Sequence, residues 1–145
     1  MTTPNKPVAH TSHTEITMDQ LGNIQPGLAR LMAEISNRYW ILYYSAEGGN
    51  WKLASLQNSE IKKTLLVGNI TRPKYTQHIE AFIKGPLAAI DTAIENEGWS
   101  EFKLAFDKAT LAANAYHKVW NHSEIVWQLP DEPPKHLKLT PPDNG

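Results

Sequence analysis

The residue with the widest chemical reach in this sequence is His117, which closes the run Ala113-Asn114-Ala115-Tyr116-His117. A neutral imidazole can ligate a metal ion or haem iron, or it can hydrogen-bond a neighbouring group. His117 stands one turn after Ala113 and one turn before Trp120, so on a helix it borders the apolar stripe that those residues share with Tyr116. In such a setting the commoner role of a histidine is that of a satisfied hydrogen-bonding partner. Tyr116 and Trp120 read as space-filling aromatics, because empty volume would cost about 24 cal/mol per Å3. On this reading Tyr116→Ala is expected to cost ~3 to 5 kcal/mol, the range for a large buried aromatic.

Other chemistries find less support. The chain has no cysteine, which excludes disulfides, thiolate metal sites, a thiol nucleophile and thioether attachment of haem. A carboxylate-bridged metal site on helices needs Glu-x-x-His, and that tetrapeptide does not occur. Glu34, Glu60, Glu80 and Glu101 therefore read as solvated helix-face residues. His10, His13, His122 and His136 fall in tails or at helix ends, where a lone histidine is usually exposed, and they are assigned no role. There is no P-loop, dinucleotide-binding glycine motif or Gly-x-Ser-x-Gly elbow. No resident metal is expected, and no enzyme activity.

Composition sets further bounds. A formal charge of -1 gives no general field to draw in nucleic acid or an anionic membrane. No apolar run approaches the ~20 residues that span a bilayer, and residues 1–20 lack the apolar core of a secretory signal. The expected compartment is the cytoplasm, or the periplasm if a leader has been removed.

Three stretches follow from proline and apolar spacing: a flexible arm over residues 1–17, a folded unit over 18–128, and a Pro-rich extended tail over 129–145. Helix A is expected from about Ile24 to Glu47, with apolar residues at three-, four- and seven-residue steps, Pro26 in its first turn and Gly48-Gly49 at its end. Asn50 is suited to cap helix B, which runs through Trp51, Ile61 and Leu66 and falters at Gly68. A third helical pattern, C, covers Lys74 to about Glu97, and Gly85-Pro86 should kink or split it. Gly98 ends it. Ser100 is suited to cap helix D, with Trp99 and Leu104 placed as a hydrophobic staple. Phe102, Phe106, Ala109, Ala113, Tyr116 and Trp120 then follow the 3.5-residue period of a bundle seam. The expected fold is all-α, an up-and-down antiparallel four-helix bundle.

Three segments carry a family resemblance: Ile24-Gln25-Pro26-Gly27-Leu28, the stretch from Tyr43-Tyr44 through Gly49-Asn50-Trp51-Lys52-Leu53-Ala54, and Ile70-Thr71-Arg72-Pro73. They resemble, in order, landmarks of small four-helix c-type cytochromes related to cytochrome c prime. The last helix of that family carries Cys-Asn-Ala-Cys-His shortly before a Pro-rich tail. Here Ala113-Asn114-Ala115-Tyr116-His117 precedes Leu129-Pro130 and Pro133-Pro134. The resemblance implies that His117 stands at the axial-ligand position, while Ala113 and Tyr116 replace the two thiols. Tyr116 and Trp120 would then fill a former haem space.

The resulting expectation is a non-enzymatic, cytochrome-like bundle without covalent haem that acts as a binding or interaction protein. The alternative is a protein that holds haem non-covalently through His117 for gas sensing or electron transfer. A surviving pocket would suit a small hydrophobic or gaseous ligand. The aromatic run Tyr39-Trp40 and Tyr43-Tyr44 covers more than one helix face. It packs either against helices B and D or across a homodimer formed through helices A and B, as relatives in the family commonly pair.

Overall fold

Asn50 and Gly49 set the reversal between the first two long helices. The Asn50 side chain accepts a hydrogen bond from Leu53 N at 3.1 Å, and Gly49 adopts a left-handed φ of +78° just past the preceding helix. The structure, a computed structural model, describes residues 7–143. The expected flexible arm lies outside the described residues over 1–6, and so does the end of the tail over 144–145.

The described chain is mostly helical, as the apolar spacing predicts. Helix A is α2 (Leu28–Glu47) and helix B is α3 (Trp51–Thr71), preceded by a short α1 (Met18–Asn23). Helix C begins with a 3-10 turn (Pro73–Tyr75) and continues as α4 (Thr76–Phe82), a π turn (Ile83–Leu87) and α5 (Ala88–Glu95). Helix D is α6 (Trp99–Val119). One core joins them, built from residues such as Leu42 on α2, Ile61 on α3, Ile90 on α5 and Phe106 on α6. Packing runs from α2 to α3, from α3 to α4 and α5, from α5 to α6, and from α6 back to α2.

Several local expectations need correction. Helix A starts at Leu28 with Gly27 as its cap, so Pro26 precedes the helix, and Ile24 is 61% exposed and off the core. Helix B does not falter at Gly68 but continues to Thr71; Gly68 is buried, and a side chain there would require the Leu28 side chain to shift. At Gly85-Pro86, where a kink or split is expected, the α-helix is interrupted by a π turn and the chain stays helical through it. The wider π turn absorbs the residue that lacks an N–H, and the buried Asn58 amide donates to Leu87 O at 3.1 Å and to Asp91 Oδ1 at 2.7 Å beside it. Helix D begins at Trp99 with Gly98 as cap, so Ser100 lies inside it. Leu104 is 64% exposed and makes no staple, while Trp99 packs against Tyr43 and Phe102. Within the stretch expected to be a flexible arm, β1 (Pro7–His10) pairs antiparallel with β2 (Glu15–Thr17).

The C-terminal segment is irregular, as its prolines require, yet it is bound to the helices. Trp40 Nε1 donates to Glu132 O at 2.9 Å, Tyr44 Oη donates to Pro130 O at 2.6 Å, and Pro134 is buried. Those contacts take up much of the aromatic surface on helix A. Tyr39 stacks on Phe106 at 4.1 Å and donates to Phe106 O at 2.8 Å, and Tyr43 packs against Trp99 and Phe106. Burial pushes the Tyr39 phenol pKa well above the ordinary value.

Candidate functional site

His117 sits in the last turn of α6, 5% exposed. The helix ends two residues later, and the chain folds back so that Ile125 O lies 3.1 Å from His117 Nδ1. A carbonyl only accepts, so Nδ1 carries the proton and Nε2 is left as a bare lone pair. Nε2 has no hydrogen-bond partner among the described residues, yet it is not sealed from open space. Burial holds the pKa of this imidazole below the ordinary histidine value; the bond to Ile125 O acts in the opposite direction, and His122 adds a small further lowering.

The returning segment is pinned by Asn114. Its amide Nδ2 donates to Trp127 O at 3.1 Å, and its Oδ1 accepts from Trp127 N at 2.7 Å. Trp127 and Trp120 then flank the His117 ring edge-on, with centroids at 5.9 Å and 6.5 Å.

The second wall comes from helix C. Trp120 Nε1 donates to His78 Nδ1 at 2.6 Å, and the His78 ring stacks on Tyr116 at 5.1 Å. Tyr75 lies against Trp120 at 4.4 Å, and Phe82 meets Tyr116 edge-on at 6.3 Å. Together these rings leave about 30 Å3 beside Ala113 and His117. A porphyrin is a drug-sized ligand, and sites for such ligands occupy roughly 300 to 1,000 Å3. The residues present therefore do not fit haem inside the helices.

Ala113, Tyr116, His117 and Trp120, the site residues expected from the sequence, all line this space. Ala113 and His117 are buried, whereas Tyr116 and Trp120 are only half-buried, at the end of the core rather than within it. His78, Tyr75 and Trp127 were not among the expected residues. Tyr75, Ile79 and Phe82 form a helical apolar stripe that places His78 beside the same face, and Trp127 is an isolated large aromatic before the prolines; both were available signals.

Outside the filled space lies an open groove of about 660 Å3, between the start of α2, the turn at Arg72–Tyr75 and the segment after α6. His117 lines both spaces. Among the described residues, no group of three or more His, Asp or Glu is placed to hold a metal ion, and no helix is long and apolar enough to cross a membrane. Comparison with protein-family models, with curated proteins and with solved structures found no match to this chain.

Proposed function

We propose that this chain is a non-enzymatic binding protein of up-and-down four-helix, cytochrome c prime-like design in which aromatic side chains have replaced covalent haem. The observation that carries the reading is the space beside His117 and Ala113, where Tyr116, Phe82, Trp120 and His78 leave about 30 Å3. Ligand binding then falls to the groove outside it, whose volume of about 660 Å3 is ordinary for a small-molecule site. The second reading, haem held non-covalently by His117, draws its support from the bare Nε2 and from the Nδ1 hydrogen bond to Ile125 O, which fixes the tautomer a ligating histidine needs.

A haemin titration separates the two. With the interior filled, haemin gives only the broad absorption of free or loosely held pigment, and His117→Ala changes nothing. A sharp Soret band at one equivalent that His117→Ala abolishes would overturn the proposal in favour of the haem reading.

A further inference from the structure

The open groove has an unusual charge pattern for a chain of net charge -1. Arg30, Arg72 and Lys74 line it, and no Asp or Glu does. Among the described residues none of the three makes a salt bridge. His122, also at the groove, is already paired with Glu124 at 2.8 Å.

The position of Arg72 is specific. It donates to Thr71 O at 2.7 Å, and its guanidinium lies over the Gly27 backbone, where any side chain at 27 would overlap it. Gly27 also begins α2 without a side-chain cap, so the positive end of a long helix faces the same groove. The groove also has an apolar lining, from Leu28, Met32, Trp120 and Trp127. The buried His117, whose Nε2 is unpartnered among the described residues, lines the same groove.

Cations gathered without counter-charge repel one another, and an anion entering among them relieves that repulsion while its apolar part covers the tryptophans. We infer that the groove binds an amphipathic anion, with a carboxylate or phosphate headgroup held by Arg30, Arg72 and the start of α2, and an apolar body lying along Leu28, Met32, Trp120 and Trp127. The inference rests on the binding-protein reading and adds the ligand class. Arginine is the suited partner, because its planar fork meets either headgroup with two parallel hydrogen bonds.

The test is calorimetric titration of the full chain with dodecanoate, dodecyl phosphate, dodecanol and dodecyltrimethylammonium, each below its micellar concentration. Both anions are expected to bind at one site, the alcohol at least about tenfold more weakly, and the cation not measurably. Arg30→Ala/Arg72→Ala should weaken both anions by about tenfold or more, with the alcohol unchanged. Lys103→Ala/Lys108→Ala, away from the groove, should leave all affinities alone. Preference between the two anions identifies the headgroup. Absence of anion binding, an alcohol as tight as the acid, or an arginine variant that binds like wild type would each overturn the inference. Those failures leave the binding-protein proposal standing unless haemin also gives a His117-dependent Soret band, the result that overturns that proposal by itself.

Discussion

At position 114 an amide side chain offers the Trp127 backbone the pair of hydrogen bonds a neighbouring strand would give it. Two net hydrogen bonds at about 1 kcal/mol each set the expected loss for Asn114→Ala at about 2 kcal/mol. Chemical denaturation would measure it, and a red shift in tryptophan emission should accompany it as Trp127 loosens. Tyr116 is half-buried and packs on His78 and Phe82, and it makes no hydrogen bond among the described residues. Tyr116→Ala should therefore cost about 1 to 2 kcal/mol, below the ~3 to 5 kcal/mol of a fully buried aromatic. Calorimetric melting distinguishes the two ranges. For His117 the folded pKa lies below the unfolded value, so the unfolded chain takes up its proton first as pH falls. The neutral, folded form is fully favoured above about pH 6.5, and stability falls as pH drops from there toward the lowered folded pKa. Denaturation at pH 7.5 and 5.5 should show a larger loss in wild type than in His117→Gln; equal losses would remove His117 as the source.

Helix boundaries show where sequence spacing reaches and where it stops. The apolar repeats of α2, α3 and α6 are local and sufficient, because each helix places one stripe on the shared core. The apolar period runs back to Ile24 whereas α2 starts at Leu28, because Ile24 is exposed and periodicity cannot tell an exposed apolar residue from a buried one. The break before α6 hides a different device. Gly98 lies at φ -95°, and the residue in the left-handed region is Glu97 at φ +50°. A side chain there costs roughly 1 to 2 kcal/mol, of which glycine's greater unfolded-state freedom offsets a part. Glu97→Gly should accordingly stabilise the protein by about 0.5 to 1 kcal/mol, read as a rise in melting temperature. A fall would show that contacts of the Glu97 side chain outweigh the backbone strain.

For the molecule as a whole, the helical class and the set Ala113, Tyr116, His117 and Trp120 were legible because they follow from spacing along single helices. The groove was not, since Arg30, Arg72 and Trp127 are far apart in the chain and meet only after the segment beyond α6 folds back. The same return explains the aromatic run on helix A: the tail accepts from Trp40 and Tyr44 through the carbonyls of Glu132 and Pro130, a contact no local pattern encodes. Filling of the space beside His117 by aromatic side chains is the point on which the functional reading turns. It can be tested by titrating haemin into wild type and into Tyr116→Ala/Phe82→Ala, with circular dichroism confirming that the variant stays helical. Wild type should show no sharp Soret band, while the opened variant should gain one that His117→Ala then removes. A His117-dependent band already present in wild type would contradict the reading.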